Sequence, residues 1–205
     1  PPEGGAEWPH KIKTNVSSSG IGISVVRTLP AFKNQESVRE VEQFYLDAIQ
    51  SARNYIYIEN QYLTVNSVFA ELGNCLAEDN GPEIVIIVPK KASGWLEQSI
   101  MDAIRRNQLQ QLRQQDRHKR LAVYYPVVGD SQTPVYIHSK LMIVDDRIAI
   151  VGSANLNNRS MGLDTECCLV MEEGPGNNAE ALISEFRRRR MAEHLGTSVG
   201  DLSKA

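Results

Sequence analysis

Cysteines, aromatic residues and long apolar runs are all scarce in this chain of 205 residues. Three cysteines without a Cys-x-x-Cys spacing argue against a disulfide framework or a zinc site, and favour small buried side chains in a reducing compartment. The longest apolar run, Ile84–Val88, has the length of a strand, whereas a membrane span needs about 18 residues. Residues 1–20 contain no apolar stretch of the kind that a secretory signal requires.

An excess of positive charge is also missing. The formal net charge is −3, whereas a dedicated nucleic-acid binder is usually basic, so we expect no nucleic-acid partner. Hydrophobic residues make up 41% of the chain, which excludes a disordered protein. A chain of this length can bury a core without crosslinks.

The chain divides into two parts by composition. Residues 1–20 are rich in proline, glycine and serine, and predict an irregular lead-in or linker. Residues 21–205 alternate strand-like and helix-like patterns, and predict a single α/β domain. This alternation predicts a mixed, largely parallel β-sheet that is flanked by helices on both faces.

Two features of the last third of the chain stand out. Residues 135–144 and 148–151 read as strands, and the three residues between them predict a tight hairpin. The charge run Arg187–Arg190 falls in a predicted closing helix over residues 179–194, where we expect it to stay solvated.

The first of these strands carries His138 and Lys140. Side chains alternate across a strand, so both project from the same face, roughly 7 Å apart. A lone strand histidine is more often structural, and a lysine often marks a solvated edge. The flanking residues are apolar, however, and a central strand is not expected to carry two polar side chains without a purpose.

The next strand ends in Gly152, Ser153, Ala154 and Asn155. The glycine permits close approach of the backbone to a ligand, and the serine and asparagine supply neutral hydrogen-bond donors. An imidazole, an ammonium, a hydroxyl and an amide on one face suit a tetrahedral anion such as a phosphate.

These residues complete the pattern His138-x-Lys140-x4-Asp145-x6-Gly152-Ser153-x-Asn155, which resembles the HxKxxxxDxxxxxxGSxN signature of the phospholipase D superfamily. The resemblance continues through residues 158–161 to Glu166. Upstream, residues 58–62 (IENQY) resemble the segment that precedes the second copy of the signature in the eukaryote-like branch of the family. The resemblance as a whole covers about residues 21–195. A motif as complete as this one is a specific signal.

The resemblance implies a mechanism. Two signatures meet, so that one histidine attacks phosphorus to form a phosphohistidine while the other protonates the leaving alcohol. Lysine and asparagine side chains hold the phosphate, and no metal or other cofactor is required for the bond chemistry. By this analogy His138 is the general acid/base, and Lys140 and Asn155 bind the phosphate oxygens.

The resemblance also implies roles for the remaining residues. Gly152 and Ser153 contribute to substrate binding, and Glu166 orients a histidine, often that of the other half. Asp145 is structural and ties down the hairpin rather than touching the substrate.

Only one signature is present, because His10, His118 and His194 do not begin a second copy. The chain is therefore either the C-terminal half of a two-signature enzyme or a single-signature protein that completes its site as a homodimer. The absence of a starting methionine, the irregular first residues and the IENQ segment favour the first alternative.

The leading hypothesis is a phospholipase D that hydrolyses the distal phosphodiester of a glycerophospholipid at a membrane surface and leaves phosphatidic acid. We expect a cytoplasmic protein that associates peripherally with membranes, through loops since no basic amphipathic anchor is visible. A nuclease-type phosphodiesterase and a non-catalytic interaction domain are the alternatives.

Overall fold

A computed structural model describes residues 21–91, 95–174, 176 and 178–202 of the chain. The lead-in predicted for residues 1–20 lies outside this part. The strands of the described residues are β1 (Ile23–Leu29), β2 (Val38–Arg39), β3 (Tyr55–Asn60), β4 (Glu83–Ile87), β5 (Leu121–Tyr124), β6 (Val127–Val128), β7 (Thr133–Pro134), β8 (Lys140–Val144), β9 (Ile148–Gly152) and β10 (Glu166–Glu172). The helices are α1 (Glu40–Ser51), α2 (Asn66–Ala77), α3 (Trp95–Gln115), α4 (Asn158–Gly162), α5 (Ala179–Leu195) and α6 (Val199–Leu202).

Eight of these strands form one mixed sheet in the order β2-β1-β10-β9-β8-β3-β4-β5. The predicted mixed sheet with flanking helices is confirmed, but the expectation that it is largely parallel is wrong. Only β3–β4 and β4–β5 pair in parallel, and the other pairings between neighbours are antiparallel. The helices α2 and α3 make the long crossovers that parallel pairing requires, whereas a tight turn joins β8 to β9.

Helices cover both faces of the sheet because its central strands are apolar on both sides. On one face, α1 and α2 pack with Val41, Ile49 and Leu72 against Ile58 and Met142. On the other face, a smaller cluster packs the helix α5 against the sheet; its members include Tyr57, Leu141, Ile143, Ala179 and Ile183. Cys75 and Cys168 are buried and Cys167 is exposed, and all three are free.

The hairpin between β8 and β9 forms as the sequence predicts. Asp145 and Asp146 have φ angles of 53° and 55°, and the N–H of Arg147 donates to the carbonyl of Val144 at 2.9 Å. Positive φ at both central residues gives a turn whose twist matches that of the flanking strands, and aspartate tolerates this backbone conformation.

The strand predicted for residues 135–144 is shorter in the structure. β8 begins at Lys140, which lies opposite Asn60, the last residue of β3. Residues 135–139 have no strand partner beyond that point, because the neighbouring chain leaves the sheet after Asn60. The N–H of Val135 donates instead to the carbonyl of Pro126 at 2.9 Å, next to the separate small hairpin that β6 and β7 form.

Candidate active site

Three strand ends meet at one edge of the sheet, where 'edge' means the border formed by the ends of the strands and not an outermost strand. β8 begins at Lys140, β9 ends at Gly152 and β10 begins at Glu166. Because β8 and β10 both run antiparallel to β9, they begin at the end of the sheet where β9 ends. The structure therefore brings to one edge the predicted site residues His138, Lys140, Gly152, Ser153, Asn155 and Glu166.

The ammonium group of Lys140 is held in a buried position. The residue is 7% exposed, and its Nζ donates to Oε1 of Gln61 at 3.0 Å and to the carbonyl oxygen of His138 at 2.7 Å. Gln61 in turn donates through Nε2 to the hydroxyl of Tyr136 at 2.7 Å. Burial lowers the pKa of Lys140, while the nearby Glu166 carboxylate acts in the opposite direction. The lysine is thus fixed in orientation before any anion binds.

The imidazole of His138, in contrast, is exposed to solvent. It lines an open cavity of about 570 Å³ together with Ser139, Arg190 and His194. This exposure suits a group that must reach a phosphodiester from outside the domain. The role of His138 as acid or base stays a prediction.

Ser153 and Glu166 interact with each other across β9 and β10. The Ser153 hydroxyl donates to the Glu166 carboxylate and accepts the N–H of Cys167 at 3.1 Å. The role of Ser153 in substrate binding stays a prediction. The role of Glu166 in orienting a histidine of another half also stays a prediction.

Gly152 lies where β9 and β10 approach closely. A Cβ atom built on it would stand 2.5 Å from the carbonyl oxygen of Cys167 and 2.5 Å from the Cα of Cys168. The close approach seen here is to the neighbouring strand, so the sheet itself requires glycine at this position. Approach to a substrate, which the sequence suggested, stays a prediction.

The segment that carries Asn155 is fixed by a second asparagine. Asn60 is fully buried, and its side-chain oxygen accepts the N–H groups of Tyr62 and Leu156 at 3.1 and 3.0 Å. Within the described residues the side-chain oxygen of Asn155 is buried and has no hydrogen-bond partner. The unpartnered atom is an acceptor, and phosphate binding by the Asn155 amide, which needs its Nδ2 donor, stays a prediction.

Asp145 lies at the opposite edge of the sheet from this site. Its carboxylate accepts the backbone N–H groups of Arg53, Asn54 and Tyr55 at 2.7, 2.8 and 2.8 Å. It therefore fastens the β8–β9 turn to the start of β3. The structural role that the resemblance implies for Asp145 stays a prediction.

A buried carboxylate that the sequence analysis assigned no role lies behind the site. Glu59 is fully buried, and its partners are Tyr57 and Ser139 at 2.6 Å each, Nε and Nη2 of Arg190 at 3.1 Å each, and His194 at 3.0 Å. Burial alone would raise the pKa of Glu59, but the hydrogen bonds from His194, Arg190, Ser139 and Tyr57 outweigh it and lower the pKa to about 2. The sequence contains a signal for this residue, because a polar run ends the apolar strand β3. Alternation along the strand places Glu59 on the face opposite Asn60.

The arginine run is therefore not the solvated surface that we expected. Arg190 binds the buried Glu59, and Arg187 forms two 2.8 Å contacts with Asp146 in the β8–β9 turn. The run lies inside α5 and not in its last turn, so two of its side chains face the sheet. They join α5 to β3 and to the hairpin.

Comparisons with known proteins agree with this fold. A family model described as "Cardiolipin synthase, PLD-like domain" matches residues 45–190. Phospholipase D A of Dictyostelium discoideum is 27% identical over 202 aligned residues, which cover 77% of this chain and 16% of that protein. The chain thus spans only a small part of this relative.

Two solved structures share the fold. Nuc of Salmonella typhimurium, a phospholipase D family member, superimposes with a TM-score of 0.56 at 16% identity, covering 83% of this chain and 94% of that one. Phosphatidylserine synthase of Haemophilus influenzae gives a TM-score of 0.62 at 20% identity, covering 85% of this chain and 39% of that one.

The fold and the family match define the class of phospholipase D-like domains. The chain belongs to the phospholipase D-like domain family, as the match over residues 45–190 shows. Its sequence-based assignment to the phospholipase D superfamily is confirmed, and phosphodiester hydrolysis is the reaction class that the family supports.

Proposed function

We propose that this chain supplies one half of a phospholipase D active site, which hydrolyses the distal phosphodiester of a glycerophospholipid to release the headgroup alcohol and leave phosphatidic acid. The observation that carries the proposal is the placement of His138, Lys140 and Asn155 at one edge of the sheet. That edge offers the exposed imidazole of His138, which is the signature histidine, beside the preoriented ammonium group of Lys140.

In the proposed first step, a histidine nitrogen of the other half attacks phosphorus and the bond from phosphorus to the headgroup oxygen breaks. His138 donates its proton to that oxygen, so the headgroup leaves as an alcohol and not as an alkoxide. In the second step, His138 takes a proton from water while the water oxygen attacks phosphorus. The phosphohistidine bond breaks, and the product is phosphatidic acid.

Lys140 and Asn155 act on the phosphate itself in this scheme. The Lys140 ammonium neutralises charge on a non-bridging oxygen, and the Asn155 amide donates to another. Positioning and charge neutralisation supply most of the catalysis in phosphoryl transfer. The chemistry needs no metal in this proposal, because histidine provides both the nucleophile and the acid.

The second histidine comes from another half of the same protein or from a second copy of the chain. In-line displacement requires the nucleophile and the proton donor on opposite sides of phosphorus, and one sheet edge can supply only one of them. The IENQ segment and the small fraction of the D. discoideum relative that is matched support a C-terminal half. The near-complete coverage of the Nuc chain supports the homodimer as the second candidate.

Lipid is the favoured substrate class over nucleic acid. A protein that binds nucleic acid obtains most of its affinity from phosphate contacts, which require clustered positive charge. The chain has a net charge of −3, and its described arginines are largely engaged with carboxylates, as at Arg187 and Arg190.

The test uses the complete active protein, either the full-length parent or the homodimer. We expect it to hydrolyse phosphatidylcholine vesicles and to leave DNA intact. The matched control is His138→Ala in the same protein, which should lower lipid turnover about 10²–10⁴-fold by removing the proton donor. Cleavage of DNA without cleavage of lipid would overturn the proposal.

A further inference from the structure

The segment that leads into the active site exposes apolar and aromatic side chains. The strands β6 and β7 form a small hairpin outside the main sheet, with Gly129 in its turn at a φ of 69°. The large apolar and aromatic residues in and beside it that are at least 39% exposed are Tyr124, Tyr125, Val127, Val128, Val135 and Tyr136. Val128, next to the turn, is 61% exposed. Contiguous exposed apolar groups of this kind mark interaction sites.

Two lysines flank the hairpin. Lys90 and Lys91 line a cleft together with Pro134, Val135 and Tyr136. The Nζ atom of Lys90 also lies 5.1 Å from the centre of the Tyr125 ring. The two lysines place positive charge at this cleft, Asp130 in the turn is acidic, and on the cavity side Arg190 and Glu193 pair with each other.

The hairpin is coupled to the site through its last residues. Val135 and Tyr136 line the cavity that contains His138. The Tyr136 hydroxyl accepts from Gln61, which accepts from the ammonium of Lys140. Whatever surface the hairpin contacts is therefore brought to the mouth of the active site.

We infer that this hairpin surface docks onto a phospholipid bilayer that contains anionic lipid. The surface is formed by Tyr125, Val127, Val128, Val135 and Tyr136 with Lys90 and Lys91. Tyrosine rings suit the headgroup level because they are apolar with a polar tip, and the lysines attract anionic headgroups. The combination of tyrosine, valine and lysine fits a bilayer interface better than a protein interface, whose core is depleted in lysine. The inference rests on the proposed lipid substrate, since a scissile phosphate in a headgroup must meet His138 at this surface.

The experiment measures binding of the purified protein to phosphatidylcholine vesicles with and without phosphatidylserine, by flotation, in the His138→Ala background so that no substrate is consumed. We expect Val128→Asp to weaken binding about tenfold, because a charge replaces an exposed apolar side chain that would be removed from water on docking. Lys91→Gln should weaken binding about fivefold, and only to vesicles that contain phosphatidylserine.

Matched controls come from the opposite edge of the sheet. Ile23→Asp alters a side chain that is 59% exposed at the start of β1, and Lys119→Gln removes an exposed lysine just before β5. Both should bind vesicles like the parent, and melting curves should show that all four variants are folded.

Three results would overturn the inference. The first is no vesicle binding by the protein without a hairpin substitution, and the second is an equal loss of binding in the control variants. The third is a Val128→Asp variant that changes mass in solution while keeping vesicle binding. The last would assign the hairpin surface to a protein partner. Vesicle binding without lipid turnover in the active protein would leave the inference standing and reject the proposed function instead.

Discussion

The carboxylate of Glu59 is the most strongly constrained charge among the described residues near the site. It is fully buried and is shared by Arg190 and His194 from α5 and by Ser139, which lies between His138 and Lys140. Removing one partner of a buried ionic network leaves the others desolvated and unpaired. The loss therefore affects both the attachment of α5 and the start of β8.

We predict that Glu59→Gln lowers the free energy of unfolding by about 3–5 kcal/mol at neutral pH. The folded pKa of about 2 lies below the ordinary value of 4.5. The contribution of Glu59 is therefore present above about pH 4.5 and is lost as the pH falls towards 2. Urea unfolding at a series of pH values measures both effects.

The control is Glu83→Gln, which changes an exposed carboxylate in the neighbouring strand β4. Its stability should follow that of the parent at every pH. If Glu59→Gln had the same stability as Glu83→Gln, the buried network would not contribute to folding as described.

Asp145 supports a second residue-scale prediction. Its two carboxylate oxygens accept three backbone N–H groups, and an asparagine offers only one accepting oxygen while tolerating the same positive φ. We predict that Asp145→Asn lowers the free energy of unfolding by about 1–3 kcal/mol. Turnover per folded molecule in the active protein should be preserved, because the turn lies at the far edge of the sheet.

Thermal unfolding and activity at a temperature where the variant is folded test this assignment. Parent-like melting with abolished turnover would contradict a structural role for Asp145 and would place it in the chemistry.

At the scale of elements, the contact between β9 and β10 positions the end of the signature. A side chain at Gly152 would collide with backbone atoms of Cys167 and Cys168, which cannot move aside as a flexible side chain could. We predict that Gly152→Ala lowers the free energy of unfolding by about 1–3 kcal/mol and displaces Ser153 from Glu166.

Gly22→Ala is the matched control, since a Cβ atom there has no atom within 4 Å. It should leave the melting temperature unchanged or slightly raise it. Equal melting temperatures for the two variants would show that the strands separate easily at Gly152.

At the scale of the whole molecule, a single chain offers one signature histidine to a phosphodiester. We predict that a strictly monomeric preparation of residues 1–205 folds but does not turn over a chromogenic phosphodiester. Activity should appear only when a second copy or the other half is present. Mass in solution and turnover, measured on the same fractions, provide the test, and robust turnover by the monomer would reject the two-histidine requirement.

Among the described residues, no helix combines the length and apolar character needed to cross a membrane.

Several features could be predicted from local sequence. The β8–β9 turn follows from two adjacent aspartates between apolar runs, and the helix predicted over residues 179–194 corresponds to α5. The signature itself is readable because its spacing reflects one strand, one turn and the next strand. These features depend on residues close in the chain, whose periodicity and backbone preferences act locally.

The tertiary structure decided what local pattern could not. The antiparallel order of β1, β10, β9 and β8 depends on which strands pair with each other. The extent of β8 depends on where its neighbour β3 ends. Apart from the nearby Tyr57, the partners of Glu59 are 80 to 135 residues away in the chain, from Ser139 to His194. Burial and ion pairing arise only when such distant segments pack, so the sequence determined the signature and the tertiary structure determined what holds it in place.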